Sequence, residues 1–571
     1  MPHQDQAAVR NQRIGPKGRS ACPEALSEIR QLLGDAARRP DLLIEHLHRI
    51  QDRHGYLAAA QLVALAEEMG LSPAEVYEVA SFYHHFHLLK DDQDPPPELT
   101  LRVCDSISCS LAGAESLIAN LKSALGEGVR LQRVPCVGRC DQAPVTVVGN
   151  NPIGPATATG VQAQIRNRAV APVLPEYPDY DAYRAAGGYQ LLRRIQQQRI
   201  QTDDPGATAA EQVIQTLEES GLRGLGGAGF ATARKWRILR SQPSPRLMAV
   251  NIDEGEPGTF KDRHFLEQDP HRFLEGVLIA ASVVGIAEVY IYLRDEYAGI
   301  RAMLEQELTA LRTDPPCPLP PVHLRRGAGS YVCGEESAMI ESIEGKRGMP
   351  RLRPPYVAEL GLFGRPTLVH NMETLYWIRD LVEWGPCWFK DQGRHGRQGL
   401  RAFSVSGRIR LPGVHLAPAG ITLRELVEEF CGAMLEGHQL YGYLPGGASG
   451  GILPASLADV PLDFDTLQPY GCFLGSAAII VLSQQDSARE AALNAMRFFA
   501  RESCGRCTPC RVGTVKAVQL MEQPNWNRAL MEELSEVMAD ASICGLGQAA
   551  PNPMRCVLSY FPQEVGHGIP S

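Results

Sequence analysis

Residues 221–230 read Gly-Leu-Arg-Gly-Leu-Gly-Gly-Ala-Gly-Phe, with Lys235 and Trp236 just beyond. Five glycines in ten residues offer no side chain to pack, so their use is conformational. They let the backbone take φ > 0 and turn its N–H groups towards a guest that comes very close, most often an anionic phosphate. Gly224-x-Gly226-x-x-Gly229 matches the dinucleotide fingerprint letter for letter, but that fingerprint follows a strand and opens a helix. Val213, Ile214 and Leu217 ahead of the loop have helical spacing, so the ordinary Rossmann reading fails here. A P-loop is excluded too, since no Lys-Ser/Thr pair follows the last glycine. Taken alone, the stretch is either a phosphate-binding loop or a flexible turn.

Beyond the loop, strand-like and helix-like segments alternate: strands near 247–250, 289–292 and 322–324, helices near 273–284, 300–311 and 335–343. That order means a mostly parallel sheet with helices on its faces. Asn251-Ile252-Asp253-Glu254-Gly255-Glu256-Pro257-Gly258 directly follows the first strand. Carboxylates there face the crevice where such sheets bind ligands, and suit polyol, ribose or ring groups; the alternative is an exposed acidic turn. A second glycine loop, 327–336, again follows a strand and opens a helix. Two glycine loops and an acidic loop on one sheet describe a large pocket for a phosphate-bearing cofactor.

Eight of the fifteen cysteines have ligand spacing. Cys104-x4-Cys109 ends a strand, and Cys136-x3-Cys140 follows after 26 intervening residues. Cys504-x2-Cys507-x2-Cys510 is joined by the remote Cys544. Paired short loops suit the two irons of one small cluster, and three close thiolates with a distant fourth suit a cubane. Tetrahedral zinc is the alternative for either set. Cys22, Cys317, Cys333, Cys387, Cys431, Cys472 and Cys556 show no paired spacing and receive no role.

The length of 571 residues implies about four domains. A net charge of −9 lacks the basic footprint of a nucleic-acid binder. The longest apolar run, 277–287, is ended by Glu288, short of the ~20 residues that span a bilayer. The first twenty residues have basic side chains but no apolar core, so no secretory signal is read. A cytoplasmic location with no membrane or nucleic-acid partner is expected, and the cysteines then serve something other than disulfides. Helical patterns fill the N-terminal part, where Ser72-Pro73-Ala74-Glu75 is a capping box opening a helix towards Phe86. The aromatic and His-rich run 82–87 is read as a wet, partly packed helical face, with a metal site as its alternative.

Together GLRGLGGAGF, NIDEGEPGTFKDR, GAGSYVCGEES, RPTLVHNMET, ESCGRCTPCR and SICGLG make the chain resemble a fusion of two electron-input subunits of respiratory NADH dehydrogenase (complex I). Residues 22–170 resemble the small thioredoxin-like 2Fe–2S subunit and 178–560 the flavin subunit. The resemblance implies a multidomain α/β and α+β chain: a disordered tail (1–21), an N-terminal helical domain (22–92), a thioredoxin-like 2Fe–2S domain (98–170), a linker (171–200), a Rossmann-like FMN/NAD-binding domain (201–398), a small ubiquitin-like SLBB domain (399–486) and a helical 4Fe–4S bundle (487–571). Such fusions are diaphorase subunits of soluble NAD-linked formate dehydrogenases and of bidirectional hydrogenases. Residues 404–420 and 443–464 look closest to the formate dehydrogenase beta subunit, so that reading is taken first. The hydrogenase diaphorase, a complex I component and a non-catalytic electron-relay scaffold follow it.

The resemblance implies FMN on Gly224, Gly226 and Gly227, held by Asn251, Asp253 and Glu254 and closed by Gly334, Glu335 and Asn371. NAD would stack on Phe230, with Lys235, Glu256, Tyr331, Glu336, Arg353 and Tyr356 around it; Glu256, Phe230 and Lys235 are the expected catalytic residues. Cys104, Cys109, Cys136 and Cys140 would hold one 2Fe–2S cluster, and Cys504, Cys507, Cys510 and Cys544 one 4Fe–4S cluster. The implied partner is a large molybdenum- or tungsten-pterin formate-oxidising subunit with further iron–sulfur clusters, in a heterodimer or dimer of heterodimers. His370 stands where the family commonly has a second Asn, Arg353 and Tyr356 replace Lys and Phe, and Ile238 holds the place of a second aromatic.

Overall fold

Ser72 does start a helix in the computed structural model of the chain, which describes residues 19–201 and 209–566. Its hydroxyl accepts from the Glu75 amide at 3.2 Å while the Ser72 amide donates to the Glu75 carboxylate at 2.8 Å, closing the capping box. The helix Pro73–Phe82 ends short of Phe86, because Tyr83 turns to extended backbone and buries itself with Phe86. It belongs to the first of two compact units, which takes the chain to Pro96 and includes residues 344–347. Helices Pro23–Leu33, Leu43–His54 and Ala59–Met69 complete the packing. Two short strands, β1 (Leu57–Ala58) and β2 (Leu88–Leu89), pair in parallel. The tail expected over 1–21 lies, up to residue 18, outside the described residues.

The second unit carries three sheets. In the first, β3 (Leu99–Cys104) pairs in parallel with β4 (Val129–Val134) and antiparallel with β5 (Thr146–Val148), which pairs with β6 (Asn151–Ile153). Leu101 and Val103 alternate into a core shared with Leu117, Ile118 and Leu121, as the two-residue period of a strand requires.

The second sheet is fully parallel, in the order β10 (Thr367–Asn371), β7 (Arg246–Ile252), β8 (Ile286–Leu293), β9 (Val322–Arg326). Its central strands β7 and β8 carry near-continuous apolar runs, as sheets covered by helices on both faces do; the helix Pro270–Val284 is buried along almost its whole length. The third sheet is mixed, in the order β12 (Gly413–Pro418), β11 (Leu400–Gly407), β15 (Ala478–Ser483), β13 (Leu440–Leu444), β14 (Leu453–Pro454). Only its central pair, β11 with β15, is parallel. The helices Ala488–Glu502, Thr508–Met521, Arg528–Ala541 and Asn552–Tyr560 close the chain. No helix among the described residues is long and apolar enough to cross a membrane.

The linker expected over 171–200 is corrected in its second half. Residues Tyr180–Ala185 and Gln190–Gln201 are helices, and Tyr180, Tyr183 and Tyr189 are buried. Tyr183 donates to the Glu275 carboxylate at 2.6 Å, and the Tyr189 hydroxyl meets His271 Nδ1 at 2.7 Å. Tyrosines that read as loop composition are anchors whose hydroxyls find partners on a buried helix.

Candidate functional site

The glycine-rich loop joins two helices, Ala209–Ser220 and Thr232–Arg240, and only then does the chain enter β7. The loop is pinned as a hairpin: the Gly224 amide donates to the Phe230 carbonyl at 2.8 Å and the Thr232 amide to the Leu222 carbonyl at 3.1 Å. Geometry requires glycine at Gly226 and Gly227, beside the cavity. Gly227 sits at φ 125°, and a Cβ on Gly226 would lie 2.8 Å from the Cβ of Asn371 at the end of β10.

A cavity of about 550 Å³ opens beside these glycines. Its wall takes in Gly226, Gly227, Asn251, Asp253, Glu254, Glu256, Tyr331, Gly334, Glu335 and Asn371 from the expected set. β7 and β10 end together, since Asn251 and Asn371 are register partners, which brings both amides to the rim. Asn251 donates to the Gly334 carbonyl at 2.8 Å, tying the first acidic loop to the second glycine loop. Asn371 donates to Asp262 at 2.6 Å.

Burial sets the electrostatics. It raises the Asp253 carboxyl well above the usual range, and Asp253 Oδ2 is buried with no hydrogen-bond partner among the described residues. Burial, then the neighbouring Asp262, pushes Glu254 up to about 7, although it accepts the Asp262 amide at 2.8 Å and the Tyr297 hydroxyl at 2.7 Å. Lys261 is buried against Asp262 at 2.7 Å and Glu373 at 2.9 Å; desolvation would discharge it, and these carboxylates with Glu254 overcome that and hold it charged. Burial also raises Glu256, whose carboxylate accepts the Ser449 amide at 2.7 Å and the Tyr331 hydroxyl.

Gly224, Phe230, Lys235, Glu336, Arg353 and Tyr356 do not line this cavity. Phe230 is 40% exposed, and the Lys235 ammonium lies 5.9 Å from its ring centroid while donating to the Val369 carbonyl at 3.0 Å. Burial lowers the Lys235 pKa, with Glu336 opposing and Arg353 adding to the shift. Arg353 pairs with Glu335 and, at 3.0 Å, with Glu336. Tyr356 is exposed. His370 is a satisfied core histidine: Trp236 donates to its Nε2 at 2.8 Å, and burial holds the ring neutral.

The cysteine sets flank the same cavity. Cys104 ends β3 and Cys136 follows β4, so the C-terminal ends of adjacent parallel strands bring them together. Cys136 and Cys140 sulfurs are 3.3 Å apart, and Cys104 interacts with Cys109 and Cys136, which together with burial push its thiol up. Cys507 caps the helix Thr508–Met521 and Cys544 caps Gly545–Ala549. Burial, with neighbouring thiols adding, pushes Cys510 up to about 11; burial likewise pushes Cys544 up to about 12, and Cys544 also feels Cys504 and Glu335. Cys104, Cys109, Cys136 and Cys140 are all buried, and closely spaced thiols of this kind are ligands that a bound cation can hold together.

Each set is welded to the pocket. Arg263, on the helix Lys261–Gln268 that follows the acidic loop, reaches the Gly138 carbonyl at 2.9 Å and Asp141 at 2.8 Å. Ser108 meets Ser406 of β11 at 2.9 Å, and Asn494 donates to the Asp105 carbonyl at 2.9 Å. On the other side Gly545, Leu546 and Gln548, which follow Cys544, line the cavity itself. Lys261, Asp262, Ser449, Phe473, Gly475 and these three are among the lining residues not foreseen. The glycine clusters 446–451 and 471–475 were the available signal for the distant ones.

Three family models match the chain. The Nuo51 FMN-binding domain covers residues 217–380, the thioredoxin-like [2Fe-2S] ferredoxin 29–169, and the NADH-ubiquinone oxidoreductase-F iron-sulfur binding region 490–568. An NADH-quinone oxidoreductase subunit of Rhizobium meliloti (strain 1021) is 38% identical over 406 residues, 68% of this chain and 94% of the relative. The corresponding NADH-quinone oxidoreductase subunit of Aquifex aeolicus (strain VF5) is 36% identical over 409 residues, 68% of this chain and 91% of its own length. A solved NAD+-reducing [NiFe]-hydrogenase in the H2-reduced state contains a chain that superposes with a TM-score of 0.80 at 31% identity, covering 94% of this chain and 95% of that one.

Proposed function

We propose, from the premise that this chain belongs to the family of NADH-quinone oxidoreductase subunits with the Nuo51 FMN-binding domain, that it is the NAD(H)-exchanging module of a multi-subunit oxidoreductase. It is an NAD-linked FMN oxidoreductase subunit with one 2Fe–2S and one 4Fe–4S site. One arrangement carries the proposal: residues just after Cys544 line a single cavity walled by glycines and carboxylates, and Arg263, next to its lining residue Asp262, binds the Cys136–Cys140 loop.

The cavity fits a flavin mononucleotide. Asp253 lines the cavity with its Oδ2 buried and left for a hydrogen bond to a guest's hydroxyl, and the Gly226–Asn371 approach leaves no room for a side chain where backbone must come close. Bound FMN converts a two-electron hydride into single electrons. Asn251, Asp253 and Glu254 would hold it, with Gly334, Glu335 and Asn371 opposite. Glu256, fixed by Ser449 and Tyr331, orders the dinucleotide's carboxamide. Outside the cavity lining, Phe230 offers an exposed ring face on which the dinucleotide would stack, and Lys235 and Arg353 would supply cationic edges for its phosphates. The third sheet is read as the ubiquitin-like SLBB domain, supported by its parallel central pair.

Cys504, Cys507, Cys510 and Cys544 would hold the cluster that exchanges single electrons with a partner chain, and Cys104, Cys109, Cys136 and Cys140 would hold a side-branch cluster. Likeness along almost the whole chain to a component of a NAD+-reducing hydrogenase favours a hydrogenase-type partner. The formate-linked reading is kept second: it rests on residues 404–420 and 443–464, and none of the relatives named above is a formate dehydrogenase. Native purification with identification of the co-purifying large subunit decides between them, followed by hydrogen- and formate-dependent NAD+ reduction by the complex. The isolated chain, loaded with FMN, should reduce an artificial acceptor with NADH; failure to do so despite stoichiometric flavin would leave only the relay scaffold.

A further inference from the structure

We propose that His48, Asp52 and His85 form a divalent transition-metal site in the N-terminal unit, separate from the iron–sulfur sites. One ligand atom from each residue lies within 4.8 Å of those of the other two. His48 and Asp52 are four residues apart on the helix Leu43–His54, so they stand one above the other on one face. His85 comes from the segment after the helix Pro73–Phe82, and its ring centroid is 4.9 Å from that of His48.

The surrounding contacts hold these ligands in place. Gln51, next to Asp52, accepts from the His87 amide at 3.2 Å, and the His87 carbonyl accepts from the Leu57 amide at 2.7 Å. The backbone that carries His85 is therefore fixed to the helix that carries the other two ligands. Phe86 packs on both imidazoles, at 4.9 Å from His48 and 5.6 Å from His85. His48 is buried while Asp52 is exposed, so the site has an apolar floor and a wet mouth. Two imidazoles select zinc, nickel or cobalt over magnesium and calcium, and one carboxylate completes a three-ligand set with positions left for water. A metal here would join the helix before β1 to the segment before β2.

The test uses the full chain with its flavin and clusters in place. Protein is exposed to a small excess of Zn2+, passed through a desalting column, and assayed for zinc, iron and FMN together. Wild type should retain one zinc per chain, and His85→Gln should retain at least tenfold less at unchanged iron and flavin. Co2+ in place of Zn2+ should give visible bands absent from the variant. If His85→Gln fails to fold, Asp52→Asn at the exposed mouth carries the test, with the same loss expected. Wild type without retained zinc, or a folded variant that retains as much as wild type, overturns the proposal.

Discussion

Arg294 donates to the carbonyl oxygen of Cys136 at 2.7 Å, and the same guanidinium donates to the carbonyl of Glu254. One buried cation thus joins a cluster-ligand loop to the acidic loop of the cavity. Arg294→Met leaves two buried carbonyls unpaired, each costing about 1–3 kcal/mol. The 2Fe–2S signal in visible circular dichroism and the retained FMN should fall together, with the 4Fe–4S signal preserved. Loss of either one alone would show that the two loops are not coupled through this residue.

Gly226→Ala places a methyl group 2.8 Å from the Asn371 side chain, whereas Gly224→Ala meets nothing nearer than 3.5 Å. Overpacking of that kind costs about 1–3 kcal/mol. Flavin affinity should therefore drop roughly 5- to 100-fold for Gly226→Ala. It should stay near wild type for Gly224→Ala, and fluorescence titration of FMN into flavin-stripped protein ranks the two.

Glu256→Gln keeps the shape of the side chain but presents one donor where two donors, the Ser449 amide and the Tyr331 hydroxyl, now converge. Steady-state kcat/KM for NADH should fall by about tenfold, equivalent to ~1.4 kcal/mol. Flavin content should be nearly unchanged. Equal losses of flavin and activity would make Glu256 a scaffold residue.

Glu254 gives a pH dependence of stability. Its carboxyl is raised from 4.5 to about 7 by burial and by Asp262, so between those values the folded chain holds a proton that the unfolded chain has released. Stability contributed by this proton is fully present below pH 4.5 and is lost as pH rises through about 7. The contribution is on the order of 3 kcal/mol at most. The melting temperature of the flavin-free protein should drop more between pH 5 and pH 8 in wild type than in Glu254→Gln; parallel curves would remove Glu254 as the source.

Cys507→Ala takes one ligand from the C-terminal set, where Cys507 caps the helix that also carries Cys510. Iron per chain should fall by about four, the content of one cubane. FMN should remain bound, since Cys507 does not line the cavity. Loss of zinc with iron unchanged would assign the set to zinc.

The local parts of the site were legible in the sequence. Helical spacing of Val213, Ile214 and Leu217 places the glycine loop after a helix, and Asp253 to Glu256 follow a strand as read, although the strand itself runs on through Ile252. Its distant parts were not, because topology rather than spacing brings them in: Ser449 reaches Glu256 across 193 residues. His370 is a similar case, since only its 2.8 Å contact with Trp236, 134 residues away, explains an imidazole in that strand. The segment 171–200 misled for another reason. Proline and tyrosine share loop composition, but the tyrosine hydroxyls there are satisfied by Glu275 and His271.

Because Arg263, Ser406 and Asn494 hold the thioredoxin-like part from within one polypeptide, its docking is a unimolecular equilibrium. Were the two parts separate polypeptides, the same docking would be a meeting of molecules and would weaken on dilution. Here the effective concentration is set by the connecting chain, about millimolar for short tethers. The proximity of the Cys136–Cys140 loop to the acidic loop is therefore independent of how much protein is present, and the pairing of the two redox centres survives at any cellular abundance.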